Sequence, residues 1–307
     1  MGVSFLGVGM AVPEFKLLNF DLERMVDTSD EWIISRTGIK SRHISRSEDI
    51  IELSVRASSM ALEMAKVDRE EVDVIILATI TPKMGFPATA CLLQEHLGCK
   101  RAYAFDVSAA CSGFLYGLEL ASALIQSGKA RKALLIGAET LSQIVDWNDR
   151  STCVLFGDGA GAVLLGEGSG EVIGSALYSD GSHASVLYAE RCSTIQMKGK
   201  ELFKLAVRLM ADACHEVLKR YGYSIEDVSL VIPHQANARI ITALAERLGL
   251  SEERVFVNIQ KYGNTSAASI PIAICEAMQS GLIRSESLVL LTAMGGGLTW
   301  GATLVRF

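Results

Sequence analysis

The chain has 307 residues, half of them hydrophobic, with 29 Lys plus Arg against 35 Asp plus Glu and a formal net charge of −6. That length holds one large or two medium domains, each with a core of its own. The acidic balance argues against a nucleic-acid binder, no apolar run approaches the roughly 20 residues needed to cross a bilayer, and the seven scattered cysteines contain no C-x-x-C pair that would suggest a disulfide framework or a zinc site.

In chain order, periodicity predicts strand 3–10, a helix near 49–66, strand 73–79, helix 87–97, strand 102–108, helix 112–127, and strands 132–138 and 154–165. A second series follows: strand 171–178, helix 201–220, strand 228–232, helix 237–248, a short strand 255–258, helix 266–280, and strands 287–292 and 299–306. Strand-helix alternation implies parallel strands with helices on both faces. The expected architecture is therefore a layered α/β/α/β/α body made of two pseudo-repeated halves, 1–170 and 171–307. The start, "MGVSFLGVGMAVPEF", lacks a basic segment and reads as a first strand and turn rather than a signal peptide, so a cytoplasmic location is expected.

Chemistry collects where strands end. "FDVSAACSGF" (105–114) sets Cys111 among small residues between a strand and a helix, and the unpaired amides of a helix N-terminus favour a thiolate. By itself Cys111 is equally a small buried apolar residue. "VSLVIPHQAN" (228–237) ends a buried strand and presents His234, "YGNTSAAS" (262–269) places Asn264 at a helix entrance where Asn also serves as a cap, and "MGGGLTWG" (294–301) sets three glycines between two strands. The spacing from Thr81 to Cys111 equals that from His234 to Asn264, which reads as corresponding turns of a duplication. Ligands in α/β sheets gather beyond the carboxyl ends of strands, so Cys111, His234 and Asn264 are expected in one cleft.

These segments, with "SDEWIISRTGIKSRHI" (29–44), "FGDGAGAVLL" (156–165) and "GGGLTWG" (295–301) in the same order along nearly the whole chain, resemble the β-ketoacyl-acyl-carrier-protein synthase III family of the thiolase-like superfamily. The resemblance implies a five-layered thiolase-like fold and a decarboxylative condensation of an acyl-CoA primer with malonyl-acyl carrier protein, the opening step of fatty-acid synthesis. It makes Cys111 the acyl-carrying nucleophile. His234 and Asn264 become the donors to the enolate, and the backbone N–H groups of Cys111 and Gly296 the oxyanion hole. Thr28, Trp32, Arg36, Arg150 and Asn237 match CoA-tunnel positions, with Trp32 and Arg150 stacking on the adenine. Lys204, Arg239 and Arg247 match positions that meet the carrier protein. Glu246 stands where that pattern more often has a base, Ser151 where glycine is common, and region 180–200 is shorter than the family pattern.

"KMGFPATAC" (83–91) resembles the segment that crosses a dimer interface, with Phe86 at the end of the partner's acyl pocket. A homodimer follows, with acyl-CoA and malonyl-acyl carrier protein as substrates and no cofactor or metal. Other Cys-His-Asn chemistries remain open from the residues alone: a polyketide-type starter synthase, a hydroxymethylglutaryl-CoA synthase, for which no further acidic base is evident, or a cysteine hydrolase.

Overall fold

A computed structural model describes residues 2–307. In chain order it contains β1 (Val3–Ala11), α1 (Asp30–Thr37), α2 (Ile50–Ala65), β2 (Val74–Ala78), α3 (Thr89–Leu97), β3 (Tyr103–Val107), α4 (Gly113–Gln126), β4 (Ala133–Thr140) and β5 (Asp158–Glu167). It continues with β6 (Glu171–Ser179), α5 (Gly199–Tyr221), β7 (Leu230–Pro233), α6 (Ala238–Leu248), α7 (Ser269–Gln279), β8 (Leu288–Gly295) and β9 (Thr299–Arg306). Local chemistry sets the boundaries. Asp49 caps α2 by accepting from the amides of Ile51 and Glu52 while Glu52 reaches back to the Asp49 amide, and α5 stops at Gly222, whose φ of 75° suits glycine.

The first sheet has five strands in the order β1-β5-β4-β2-β3, the second four in the order β6-β9-β8-β7. Parallel pairing holds for β2 with β3 and β4, and for β7 with β8. Strands that follow one another without a long crossover helix, β4 to β5 and β8 to β9, return antiparallel, because a parallel return needs a crossover. The sheets are therefore mixed rather than wholly parallel.

Alternation along the strands sorts side chains into layers. On β2, Val74 and Ile76 face a central core while Ile75 and Leu77 face an outer one. On β8, Val289, Leu291 and Ala293 face that same central core while Leu288 and Leu290 face a second outer one. The central layer is α4 and α7, packed between the two sheets through Phe114, Leu115, Leu118, Ile270, Ala273 and Ile274. Helices buried this way must be apolar around most of their circumference, as "FLYGLELASALI" and "IPIAIC" are. Helices α2 and α3 cover the first sheet and α5 and α6 the second, which gives the expected α/β/α/β/α body. A fourth apolar cluster, with Leu17, Ile33, Ile39 and Leu155, closes the end of the layers where the parallel strands point.

Two expectations change. The structure aligns Val74 with Leu230 and Ala133 with Val289, through equivalent pairings, and Ala110 with Ser266, each opening a 3-10 turn into a central helix. On that single offset Cys111 corresponds to Ala267, three residues beyond Asn264, and His234 corresponds to Ala78 rather than Thr81. Equal spacing between polar residues was therefore no guide to the register of the repeat.

The strand expected at 255–258 is reduced to one bridge between Val231 and Val255. The buried Gln235 side chain occupies the place of the ladder: its amide donates to Phe256 O (3.1 Å) and its oxygen accepts from Asn258 N (3.0 Å). A carboxamide thus satisfies groups that a neighbouring strand would otherwise bond.

Candidate active site

Cys111 lies in the single turn Ala110–Ser112 between β3 and α4, with Ala110 at φ +47°. That left-handed backbone is costly for alanine and needs surrounding support. Ser112 Oγ donates to Thr299 O (3.0 Å) and Thr299 Oγ1 to Ala109 O (2.8 Å), tying the turn to β9. Gly295 supplies the remaining fit, since a Cβ there would stand 2.5 Å from Cys111 N. Gly296 packs under the Leu187 carbonyl, where a Cβ would meet it at 2.7 Å. Only Gly297 of the three has a positive φ, so the triplet serves close backbone approach more than a tight turn.

The thiol contradicts one expectation. Burial raises the Cys111 pKa from 9.0 to about 12. A helix N-terminus contributes about 0.3–1 kcal/mol, less than one pKa unit at about 1.36 kcal/mol per unit. Burial therefore outweighs the dipole, which keeps Cys111 a thiol near neutral pH.

His234 follows β7 and is anchored by its own amide to Thr292 O (2.7 Å). Its Nδ1 lies 2.6 Å from Ser269 Oγ, which already accepts weakly from Gln235 N at 3.4 Å. When the serine proton is given to Nδ1, the ring proton sits on Nε2. Burial lowers the His234 pKa from 6.5 to about 3, so the imidazole is neutral and acts as a one-proton donor. Asn264 is oriented as firmly. Its Oδ1 accepts from Ser266 N (2.8 Å), its backbone bonds Leu155 O and Gly157 N, and its NH₂ carries the free donors.

Cys111, His234 and Asn264 line one cavity of about 110 Å³, together with Asn237, Phe156 and Met294. Leu187 and Met197, from the 180–200 region, form part of its wall. The arrangement presents a sulfur from one half and two fixed hydrogen-bond donors from the other to a single small acyl-sized space.

Of the other expected site residues, Asn237 lines the cavity itself. The Arg150 guanidinium lies 4.8 Å from the Trp32 ring centroid and donates to Asp27 O (2.8 Å). The Thr28 hydroxyl is buried without a partner. Asn237 caps α6 through Arg239 N (2.9 Å) and donates to Arg36 O (3.1 Å), so α1 and α6 meet beside the cavity. Arg239 stands over Phe203 and lines an adjoining groove with Glu246. Lys204 is exposed on α5, and Arg247 pairs instead with Asp212 (3.5 Å). Phe86 is 88% exposed and lies apart from the cavity of its own chain.

Three residues near this site were not singled out by the sequence reading: Ser269 and Gln235, which position the His234 loop, and Glu139, a fully buried carboxyl at the end of β4. The signal for Glu139 was present, since "ALLIGAET" carries one acid at the carboxyl end of an otherwise apolar strand.

Family models described as 3-oxoacyl-[acyl-carrier-protein (ACP)] synthase III and its C-terminal region match residues 105–181 and 218–307. A β-ketoacyl-[acyl-carrier-protein] synthase III of Aquifex aeolicus is 57% identical, with all of both chains covered. One of Caldanaerobacter subterraneus is 48% identical over 100% of this chain and 98% of the other. Among solved structures, the 3-oxoacyl-[acyl-carrier-protein] synthase III of Aquifex aeolicus superposes with a TM-score of 0.98 at 56% identity, covering all of both chains. That of Thermus thermophilus gives 0.95 at 44%, covering 99% of each. With this agreement in sequence and fold around a cavity that joins Cys111, His234 and Asn264, the chain belongs to the β-ketoacyl-acyl-carrier-protein synthase III family.

Proposed function

We infer that the chain is the condensing acyltransferase that initiates fatty-acid synthesis, joining an acyl-CoA primer to malonyl-acyl carrier protein through an acyl-cysteine. The observation that carries the residue roles is the shared cavity, with a thiol on one wall and two oriented donors on the other. Cys111 attacks the primer thioester, and the amides of Cys111 and Gly296 hold the oxyanion until CoA leaves. Malonyl-acyl carrier protein then enters and loses carbon dioxide. The resulting negative charge spreads onto its thioester oxygen, where His234 Nε2–H and the Asn264 NH₂ stabilise it. The enolate carbon attacks the acyl-Cys111 and gives β-ketoacyl carrier protein. Decarboxylation makes the carbanion, so neither donor has to abstract a carbon-bound proton.

The division at 170/171 matches this split of labour, the thiol coming from the first half and the donors from the second. Trp32 and Arg150 suit an adenine face because indole and guanidinium both stack, with Thr28, Arg36 and Asn237 along the tunnel below. Arg239 and Lys204 are suited to an acidic carrier protein. Arg247 contributes less through its pairing with Asp212, and Glu246 opposes docking. The exposed Phe86 fits a homodimer in which it ends the partner's acyl pocket. Both thioesters are substrates, and no resident cofactor or metal enters the scheme. A cytoplasmic location accords with a chain in which no described helix is long and apolar enough to cross a membrane.

The test is intact mass after incubation with a panel of acyl-CoAs, followed by malonyl-acyl carrier protein. An acyl adduct on Cys111 that disappears as β-ketoacyl carrier protein forms is the expected outcome, with no adduct in Cys111→Ser. No adduct from any acyl-CoA on a protein whose thiol still alkylates would overturn the reading.

A further inference from the structure

Glu139 is buried next to the nucleophile and has no part in the scheme above. The alternation on β4 that turns Ala133 and Leu135 toward the central helices turns Gly137 and Glu139 the same way. A Cβ at Gly137 would stand 2.2 Å from Ala267 O, and one at Gly113 would stand 3.6 Å from Ala267 Cβ. The turn carrying Ser266 is therefore wedged between β4 and the Cys111 turn. The carboxyl accepts from Thr81 Oγ1 (2.7 Å), Thr79 Oγ1 (3.1 Å), Ile80 N (3.1 Å) and Thr81 N (3.2 Å). No cation pairs with it among the described residues.

Ser266 stands at φ +48°, and its buried hydroxyl completes no hydrogen bond of regular geometry. It nevertheless lies close enough to both the Cys111 thiol and the Glu139 carboxyl to favour the charged form of each. A hydroxyl donates and accepts at once, which is what a proton relay between those two groups requires.

We propose that Glu139, acting through the Ser266 hydroxyl, takes the thiol proton when Cys111 is acylated and returns it when the sulfur is released. In the first half-reaction the Cys111 sulfur bonds the acyl carbon, and the proton passes to Ser266 Oγ as the Ser266 proton passes to Glu139. The carbon–sulfur bond to CoA breaks and CoA leaves as thiolate, to be protonated by solvent. In the second, the enolate carbon displaces the Cys111 thiolate, and the proton on Glu139 returns to it by the same path. The one proton consumed overall is the one CoA takes from water.

Burial raises the Glu139 pKa from 4.5 to about 7, so both of its forms are populated near neutrality. Other titratable groups on the elements packed around it are turned away. Asp106 on β3 bonds the amides of Thr89 and Ala90, and Asp158 on β5 bonds Ser45 and Ser142. His234 bonds Ser269, and Glu52, Arg56 and Glu63 on α2 are exposed. Cys111 alone among these senses the Glu139 charge.

The inference rests on Cys111 as nucleophile, so the wild-type adduct is measured alongside: its absence would indict that reading, and its presence with an unaltered variant would indict this one. Rapid-quench intact mass gives the acylation rate against pH. The wild-type rate is expected to rise through an inflection near pH 7. Glu139→Gln should be slower by about 10²-fold at neutral pH and lose the inflection, rising instead with hydroxide. Ser266→Ala should lose it too, and Glu139→Asp should recover it in part. If Glu139→Gln does not fold, Ser266→Ala carries the test. An inflection retained in a folded Glu139→Gln or in Ser266→Ala, whether or not the rate falls, overturns the proposal.

Discussion

Ala110 and Ser266 are held at φ +47° and +48°, and each opens a 3-10 turn that runs directly into a helix of the central layer, α4 or α7. The two turns pack against each other between the sheets. After identical backbone, one presents the Cys111 sulfur to the cavity, while the other presents the Ala267 methyl to the backbone around Gly113. The second half places its chemistry elsewhere, at the end of β7 as His234 and just before its strained residue as Asn264. A duplicated scaffold thus yields an asymmetric site. Had both halves used the same position, two side chains would compete for one point; offset positions instead set the donors across the cavity from the sulfur.

The largest expected effect comes from removing the donors. His234→Ala and Asn264→Ala should each load acyl groups onto Cys111 at near the wild-type rate and then condense about 10²–10³-fold more slowly. Loading by intact mass and single-turnover condensation from the preformed acyl-enzyme separate the two steps. A normal condensation rate in either variant would remove that residue from the enolate site and leave the asymmetry between the halves without a purpose.

Which parts of this were legible beforehand follows from what each signal measures. Periodicity and length locate the strands of both large sheets and the long helices packed on them, because burial on both faces of a sheet forces apolar runs and amphipathic covering helices, whereas α1 and the short strands such as Lys16–Leu18 and Ser41–His43 are too brief to carry a period. The segment 255–258 failed because the partner of its backbone is a side chain, Gln235, and propensity does not register such a substitute. Repeat register is not legible from functional residues, which the two halves place differently, whereas the ladder pairs and the strained turns carry the true alignment. The expected thiolate fails on magnitude: the helix end is visible in "AACSGF", but the burial that outweighs it comes from residues distant in the chain, such as His234, Asn264 and Met294, which share its cavity. Glu139 and Ser269 escaped attention because nothing in a linear reading sets them beside Cys111 and His234.

The contact between the two turns can be tested through packing. Gly137→Ala puts a methyl carbon 2.2 Å from Ala267 O, a backbone atom that cannot rotate away. Overpacking of this kind costs about 1–3 kcal/mol, and for a chain of this size each kcal/mol lowers the melting temperature by about 1.5 °C. Gly181→Ala has nothing within 4 Å and no positive φ, and should leave the melt unchanged. Equal melting curves for the two variants would mean that the turns are not held together as described.

Ser269 gives the smallest effect and the sharpest view of how the second half prepares its donor. With burial holding its pKa near 3, His234 stays neutral while ordinary histidines titrate at 6.5, so the role proposed for it depends on tautomer rather than charge. Ser269→Ala removes the hydroxyl that supplies Nδ1. The buried Nδ1 is left unsatisfied in either tautomer at about 1–3 kcal/mol, so nothing holds the ring proton on Nε2, and in the Nδ1–H form Nε2 is an acceptor unable to serve an enolate. Condensation should fall about tenfold, about 1.4 kcal/mol in the barrier, with acyl loading unchanged and Ser269→Thr recovering part of the loss. In ¹⁵N spectra of histidine-labelled protein, His234 should remain a neutral Nε2–H ring from about pH 5 to 8 and shift toward Nδ1–H in Ser269→Ala. The same depressed pKa sets a sign for stability. Below pH 6.5 the unfolded chain binds a proton that the folded chain refuses until about 3, so this contribution is present above 6.5 and is lost as the pH falls toward 3. A His234 resonance titrating at 6.5 would place the ring in water and transfer the burden of enolate stabilisation to Asn264.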